Sequence, residues 1–285
     1  MKKLLSLVLA VLMLTACVLA FSSCGKSDFA KIKEKGEFVV GYTVYAPMNY
    51  WSSSEDLSEG TVGEGDFIGF DTELAKAVAA KLGLTVKFQL IEWSQKYSEL
   101  NSGAIDCIWN GFTSNAKDDD GIDRSEKVDF SFPYLDNAQC VVVKSADLAT
   151  YTSAAALAGK KAAAEDGSAG ESYAKSVTDA AKVTGKTSQM DTFQDLLSGA
   201  VDFIVVDKLL AENAVGKGNF ASLAIATGVE IDNEVYSIGC RKGSDFDAKI
   251  NEALLALLND GTMEALAVKY NVHITDSMTA RKTAE

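Results

Sequence analysis

The chain has 285 residues, of which 47% are hydrophobic and 24% are charged, a composition that is typical of soluble globular proteins. Its length allows one large domain or two smaller ones. The formal net charge is −13, and this argues against a nucleic-acid partner, because binding to a phosphate backbone needs clustered Lys and Arg.

The N-terminal segment has the pattern of a secretory signal. Met1 is followed by two lysines, and residues 4–21 then carry no charge. An uncleaved membrane anchor is the alternative, because an apolar stretch of this length just reaches across a bilayer.

Two cysteines favour the signal, since each closes a short sequence that resembles a lipoprotein box. Cys17 ends "LTAC" and is followed by further apolar residues, whereas Cys24 ends "SSC" and is followed by the polar run "GKSD". We therefore predict a lipoprotein signal peptide over 1–23, lipidation of Cys24 with Cys17 as the alternative, and a tether over 24–35. The protein is then expected to be extracytoplasmic and lipid-anchored to the cell membrane.

The first third of the chain after the tether alternates between strand and helix patterns. The stretch "GFDTELAKAVAAKLGL" has the period of an amphipathic helix, with Asp71 able to cap its start and Gly83 able to end it. The predicted elements are, in order, a strand over 38–43, a loop over 52–66, this helix over 69–84, a strand over 85–91, a short helix over 95–101 and a strand beginning at Ile105. This alternation predicts a parallel sheet with crossover helices.

A second α/β unit follows, in which apolar runs predict strands and amphipathic runs predict helices. The strands are 140–144, 160–166, 201–207 and 235–243, and the helices are 168–181, 193–199, 208–216, 245–261 and 262–271. Two α/β units in sequence indicate two lobes.

Three polar loops directly follow predicted strands. They are "WNGFT" (109–113), "EDGSAG" (165–170) and "VVDK" (205–208). Ligands bind at the carboxyl ends of the strands in open α/β sheets. The loops therefore favour a ligand-binding cleft over plain turns.

The sequence lacks the patterns of common catalytic and metal sites. Its one histidine, His273, argues against Ser-His-Asp and Cys-His sites, and there is no G-x-S-x-G elbow or phosphate-binding loop. The run "KDDDGID" lacks the acids that a calcium loop would need at Ala116 and Lys127. We therefore expect a binding protein, not an enzyme, with no metal and no cofactor.

The three cysteines after the tether are Cys107, Cys140 and Cys240. All three lie in apolar, strand-like contexts, and their number is odd. We expect buried thiols, and the sequence leaves open whether two of them form a disulfide.

The polar and aromatic residues near the loops form an inventory that suits an α-amino acid. Arg124 could clamp a carboxylate through two parallel hydrogen bonds, Ser168 opens a helix whose N–H groups favour an anion, and Asp207 could meet an ammonium group. Tyr45 and Trp93 could form an apolar wall. Each residue also has a plain structural interpretation: the aromatics as core, Arg124 as a surface residue, and Ser168 and Asp207 as helix caps.

The order of several sequence blocks resembles the bacterial extracellular solute-binding proteins of family 3, which serve polar amino-acid ABC transporters. The resemblance covers about 36–271 and rests on "VVGYTVYAPMNY", "GFDTELAKAVAAKLGL", "EWSQKYSELNSGAIDCIWNGFT", "VDFSFPY", "DGSAGESYAK", "LLSGAVDFIVVD" and "INEALLALLNDGTMEALAVKY". It implies an α/β fold of two Rossmann-like lobes joined by two hinge strands, as in type II periplasmic binding proteins, and "YLDNAQ" (134–139) and "IDNEVY" (231–236) match the hinge segments. Lobe 1 would comprise 36–134 plus 236–274, lobe 2 would comprise 139–232, and 275–285 would be a C-terminal tail.

The resemblance also implies the ligand-binding residues. Tyr45 and Trp93 match the aromatics that sandwich the ligand side chain, and Asp207 matches the acid that pairs with the α-amino group. The carboxylate would be bound by the matching loop of lobe 1 and the matching helix start of lobe 2, which are Asn110, Gly111, Thr113, Ser168 and Ala169.

Two positions depart from the family pattern. The family's Arg, five residues after the first Thr, would fall on Asp118, but Arg124 keeps the usual distance before "VDFS". We therefore expect an insertion and assign the carboxylate clamp to Arg124, with Lys117 as the rival. Tyr42 stands where many binders of polar or basic amino acids have Asp, so we expect a neutral polar or sulfur-containing amino acid rather than lysine or arginine.

The resemblance implies a monomer that closes its lobes on a free amino acid and delivers it to ABC permease subunits in the membrane. A ligand-binding sensory lipoprotein is one alternative. A small-acid dehydratase on the same fold is another, and Glu165 and Asp207 are its candidate titratable groups.

Overall fold

The computed structural model describes residues 26–52, 66–118 and 120–282. The predicted signal peptide, with Cys17, and the proposed lipidation site Cys24 lie outside these residues, as does most of the predicted loop over 52–66. Within the described ranges, no helix combines the length and the apolar character needed to cross a membrane.

Helices and strands alternate along most of the described chain. The helices are α1 (Asp28–Lys35), α2 (Phe70–Leu82), α3 (Lys96–Ser102), α4 (Arg124–Lys127), α5 (Ala169–Val177), α6 (Gln189–Ser198), α7 (Lys208–Ala214), α8 (Phe246–Asn259), α9 (Thr262–Tyr270) and α10 (Asp276–Thr279). The strands are β1 (Glu37–Tyr42), β2 (Tyr50–Trp51), β3 (Phe67–Ile68), β4 (Thr85–Leu90), β5 (Cys107–Ile108), β6 (Val128–Phe130), β7 (Leu135–Lys144), β8 (Ala162–Glu165), β9 (Val183–Lys186), β10 (Phe203–Asp207), β11 (Leu223–Ile225), β12 (Asn233–Tyr236) and β13 (Gly239–Arg241).

The first lobe is built on a sheet with the strand order β4-β1-β5-β13-β6. β1 runs parallel to both β4 and β5, as the strand–helix alternation predicted. β13, which comes from the far end of the chain, pairs antiparallel with β5 and β6. The single strand predicted over 235–243 is therefore two strands, β12 and β13, and only the second belongs to this sheet.

The second lobe is built on a sheet with the order β11-β7-β10-β8-β9. β8 runs parallel to β9 and β10, whereas β7 pairs antiparallel with β10 and β11. The carboxyl ends of β8 and β10 consequently lie at the same edge of the sheet.

Two hydrogen-bonded strands connect the lobes. The first four residues of β7, 135–138, pair with β12, and residues 139–142 of β7 pair with β10 inside the second sheet. The two crossings predicted from "YLDNAQ" and "IDNEVY" thus form one antiparallel ladder between the lobes.

Part of the predicted tether is a folded element. Ile32 of α1 is almost fully buried, Phe29 stacks on Phe246 of α8 with ring centroids 6.1 Å apart, and Asp28 forms an ion pair with Arg241 at 2.8 Å. Phe29 and Ile32, three positions apart, share one face of the helix. That face covers the first lobe, so a flexible tether cannot include residues 28–35.

The predicted C-terminal tail also begins with a packed helix. Thr275 caps α10 by accepting a hydrogen bond from the Met278 amide at 3.0 Å, and the Met278 side chain is fully buried. The structure places Cys107, Cys140 and Cys240 in the core as free thiols, as expected.

The helix α2 differs from its prediction at one end. Gly83 ends it in the left-handed conformation, as predicted, but Asp71 does not cap its start. Asp71 is buried, and its carboxylate accepts hydrogen bonds from the Tyr134 hydroxyl at 2.7 Å and from the Gly111 amide at 3.0 Å. The acid therefore ties the helix to the loop after β5 instead of to its own first turn.

Candidate ligand-binding site

A narrow cavity lies between the two lobes, with only about 10 Å³ of space for the centre of a water-sized sphere. Its walls come from the carboxyl ends of β5, β8 and β10, from Arg124 at the start of α4, and from the hinge strand β7. The residues that line it are Trp93, Asn110, Gly111, Thr113, Arg124, Gln139, Glu165, Ser168, Ala169, Gln189 and Asp207.

All but one of the nine site residues expected from the sequence line this cavity. Tyr45 is the exception: it is buried but is not among the lining residues. Its hydroxyl packs against Gly111 so closely that a Cβ atom at Gly111 would lie 2.0 Å from it. Gly111 also has a φ of +60°, so both space and backbone conformation require glycine there.

Two of the expected carboxylate donors are engaged within the first lobe. The Asn110 amide donates to the Thr43 hydroxyl, and its carbonyl accepts from Asn49 at 2.6 Å. The Gly111 N–H is donated to Asp71. Burial raises the pKa of Asp71 to about 7 even though the hydrogen bonds that it accepts from the Tyr134 hydroxyl and the Gly111 amide oppose the shift. Asn110 and Gly111 thus fix the shape of the loop. Thr113 is the other polar residue of the loop that lines the cavity.

Arg124, not Lys117, reaches the cavity. The Arg124 side chain is 1% exposed, and its Nε pairs with Asp118 at 3.0 Å. Nη1 donates to the Thr113 carbonyl at 3.1 Å, and the guanidinium lies over the Phe112 ring at 5.2 Å. Lys117 is 64% exposed and pairs with Asp123. The segment that precedes Arg124 therefore supplies the acid that orients it.

Ser168 is both the cap of a helix and part of the cavity wall. Its hydroxyl caps α5 by accepting a hydrogen bond from the Glu171 amide at 3.0 Å, and the residue also lines the cavity with Ala169. The first backbone N–H groups of a helix lack intrahelical acceptors and favour an anion. The second lobe thus presents a helix start to the cavity.

Asp207 does not cap α7 with its side chain, so that interpretation is wrong. Its carboxylate instead accepts hydrogen bonds from the amides of Asn137 at 3.0 Å, Gln139 at 2.6 Å and Gln189 at 2.5 Å. Burial outweighs these bonds and raises the pKa of Asp207. A buried carboxylate that is oriented in this way is suited to a cationic partner.

The sequence interpretation missed several polar residues at or beside the cavity. Gln139 and Gln189 were not singled out, although "YLDNAQ" was recognised as a hinge. Lys96 lies beside Trp93, 4.9 Å from its ring, and is 2% exposed. Burial, and then the charge of Arg124, lower the pKa of Lys96 to about 8. Its position at the start of a short helix gave no signal of a site.

Lys96 and Arg124 contact the opposite lobe through one atom. The Lys96 Nζ donates to the Gly167 carbonyl at 3.0 Å, and the Arg124 Nη2 donates to it at 3.5 Å. Gly167 stands directly before the helix start at Ser168. The lobes are therefore in contact at the edge of the cavity.

Glu234, on β12, joins the hinge to both lobes. Its Oε2 accepts hydrogen bonds from the Thr113 hydroxyl at 3.0 Å and from the Gln139 amide at 2.9 Å. Burial, and then the charge of Asp207, raise the pKa of Glu234 to about 7. Among the described residues, no group of three His, Cys, Asp or Glu side chains could hold a metal ion.

Tyr42, the second departure from the family pattern, faces the core of the first lobe. Its ring packs against Phe67 and Phe88, with centroids 4.7 and 6.1 Å away, and it does not line the cavity. Because Tyr42 lies outside the cavity, the absence of an acid at position 42 does not indicate the charge of a ligand bound there.

The sequence is similar to known binding proteins along most of its length. A family model described as bacterial extracellular solute-binding proteins, family 3, matches residues 43–273. The L-cystine-binding protein TcyA of Bacillus subtilis is 30% identical over 92% of this chain and 96% of its own. The L-cystine-binding protein TcyJ of Escherichia coli is 29% identical over 84% of each chain.

A solved structure has the same arrangement of elements. It is an ABC uptake transporter substrate-binding protein from Streptococcus pneumoniae with bound histidine. The two chains are 28% identical, with a TM-score of 0.73 over 86% of this chain and 96% of that one.

Proposed function

Because the chain belongs to the bacterial extracellular solute-binding proteins, family 3, we propose that it captures a free amino acid between its lobes and delivers it to the permease of an ABC importer. One observation carries this proposal: a single buried cavity is lined by Arg124 from the first lobe and Asp207 from the second. The guanidinium suits an α-carboxylate, and the carboxylate suits an α-ammonium group. The proposed role is binding without turnover.

The mechanism that we propose is hinge closure. Thr113 and Arg124 would bind the carboxylate in the open form, together with the apolar face of Trp93. Ser168, Ala169 and Asp207 would complete the site only when the second lobe closes. Because a ligand that contacts both lobes binds the closed form more tightly, it shifts the population towards closure.

For the ligand we propose a polar or sulfur-containing amino acid, with L-cystine as the first candidate. TcyA and TcyJ, both named for L-cystine binding, match most of this chain at 29–30% identity. The S. pneumoniae structure holds histidine in the same fold, so related sites also accept a compact polar side chain.

We further propose that the mature protein is a lipid-anchored monomer outside the cytoplasm. The box that ends at Cys24, with Cys17 as the alternative, supports this proposal, and α1 would then begin four residues after the lipidated cysteine. Labelling with a radioactive fatty acid, lost in Cys24→Ala and retained in Cys17→Ala, would test it.

Ligand-dependent melting tests the binding function. Protein that begins after Cys24 would be unfolded and refolded to remove bound ligand, and then melted with each amino acid and with L-cystine. A ligand present at one hundred times its Kd should stabilise the fold by about 2.7 kcal/mol. The ligand should be recovered unchanged after incubation. No shift with any of these compounds, from protein shown to be refolded, would contradict the proposal.

A further inference from the structure

The cavity holds one more acid than a simple α-amino acid needs. One cation and one acid, Arg124 and Asp207, suffice for its two charges. Glu165, the last residue of β8, also lines the cavity and is only 2% exposed. Its Oε1 is buried and has no hydrogen-bond partner among the described residues.

Glu165 is poorly neutralised by its protein surroundings. Burial and the negative charge of Asp207 raise the pKa of Glu165 to about 8, and Lys96 and the Gln189 backbone amide oppose the shift. The Lys96 ammonium is not paired with Glu165; it donates hydrogen bonds to the carbonyls of Trp93 and Gly167. A buried carboxylate in this state gains from a positively charged partner that enters with the ligand.

We propose that Glu165 is a specificity-determining residue that recognises a second ammonium group, carried at the far end of the ligand's side chain. The inference rests on the proposed function and names the ligand class for that site: an amino acid with two amino groups. Asp207 takes the α-ammonium group and Glu165 takes the distal one. In this proposal the acid that recognises the ligand's side chain is Glu165, from the second lobe. Tyr42, in contrast, faces the core of the first lobe.

Two kinds of compound carry this chemistry. A bis-amino acid such as L-cystine ends in a second ammonium and a second carboxylate, and the Lys96 ammonium, at the edge of the cavity, would provide a positive charge for that carboxylate. A simple diamino acid such as L-lysine ends in an ammonium alone. Both place a cation at Glu165, and the experiment separates them.

Two pairs of ligands, in which the members differ only by the distal amino group, measure what that group contributes to binding. L-cystathionine would be compared with S-(3-carboxypropyl)-L-cysteine, which differs only by lacking one amino group, and L-lysine would be compared with L-norleucine. Titration calorimetry on the refolded protein would use wild type, Glu165→Gln and a control of equal charge change, Glu252→Gln. The Glu252 side chain is 64% exposed on α8.

We expect wild type and Glu252→Gln to bind the diamino member of one pair at least about tenfold more tightly, the usual effect of a hydrogen bond to a charged group. Preference within the first pair indicates a bis-amino acid, and preference within the second indicates a simple diamino acid. Glu165→Gln should bind both members of the pair with equal affinity.

Three results would overturn the inference. In the first, wild type binds α-amino acids but does not prefer the diamino member of either pair. This result leaves the proposed function standing, and it needs no folded Glu165→Gln variant. In the second, Glu165→Gln lowers the affinity for both members of a pair by the same factor, as expected if Glu165 has a purely structural role. The third is wild type that binds no amino acid, which removes the proposed function as well.

Discussion

Gln139 lies directly opposite Asp207 in the antiparallel pair of β7 and β10, and its amide donates a hydrogen bond to the Asp207 carboxylate at 2.6 Å. The same amide nitrogen donates to Glu234, on the other hinge strand, at 2.9 Å. One amide group thus links the acid of the cavity to both strands that join the lobes. A rotation at the hinge is expected to change how Asp207 is held, because its orientation depends on that amide.

Replacing Asp207 by Asn should abolish most ligand binding while the fold persists. The variant keeps the shape of the side chain but removes the proposed partner of the α-ammonium group, and losing one partner of a buried ion pair costs about 3–5 kcal/mol, or about two to four orders of magnitude in Kd. Calorimetry with the ligand found in the melting screen measures this. The exposed Asp147→Asn should bind as wild type does, and a Kd for Asp207→Asn within a few-fold of wild type would refute the assignment.

Arg124 and Lys117 should differ sharply when each is substituted. Arg124→Lys keeps the charge but loses the planar fork that contacts Asp118 and the Thr113 carbonyl, so its affinity for the ligand should fall at least about tenfold. Lys117→Ala should change affinity less than twofold, because that side chain is exposed. Equal losses in the two variants, measured by calorimetry, would show that the clamp has been assigned to the wrong residue.

The fold and most of the candidate site could be predicted from the sequence. The family and the two-lobed, type II periplasmic-binding-protein fold are confirmed by the family match and the solved structures. The loops at 109–113 and 165–170 were predictable because hydrophobic periodicity marks where strands end, and ligands bind at the carboxyl ends of strands in such sheets.

The rest depended on tertiary contacts that no local pattern encodes. Asp71 has the position of a helix cap, yet it bonds the loop after β5. Lys96 lies on a helix and is nevertheless buried against the other lobe. Glu165 was noted only as a possible catalytic group, because a single acid after an alanine run does not reveal that it faces a cavity without a partner.

Replacing Lys96 by Met should weaken lobe closure. Its ammonium donates to the Gly167 carbonyl across the cavity edge at 3.0 Å, and Met fills similar space without that hydrogen bond. The closed form should lose about 1.5–3 kcal/mol, so the ligand should dissociate about ten to one hundred times faster in stopped-flow experiments. The matched control is the exposed Lys117→Met. Unchanged dissociation in Lys96→Met would mean that the contact does not stabilise closure.

The stability of the ligand-free protein should fall as pH rises from about 5 to 8. Asp71, Glu165 and Glu234 have pKa values raised by burial to about 7, 8 and 7, from ordinary values near 4. For an acid with a raised folded-state pKa, the stabilising contribution is complete below the unfolded value and is lost as pH rises through the folded value.

Below about pH 4 the trend should reverse. Basic partners such as Arg241 and Lys269 lower the pKa values of Asp28 and Glu73, and the stability that these carboxylates contribute is lost as they become protonated. Stability should therefore be greatest at mildly acidic pH.

Scanning calorimetry from pH 2 to 9, without ligand, measures this dependence. The raised pKa values together should lower Tm by several degrees between pH 5 and 8, since about 1 kcal/mol corresponds to roughly 2–4 °C in a protein of this size. Glu165→Gln removes one of the three groups and should flatten the slope, whereas Glu252→Gln, with the same change in net charge, should leave the slope intact. If the two variants have the same slope as wild type, general repulsion among the excess negative charges accounts for the pH dependence, and Glu165 does not titrate in this range.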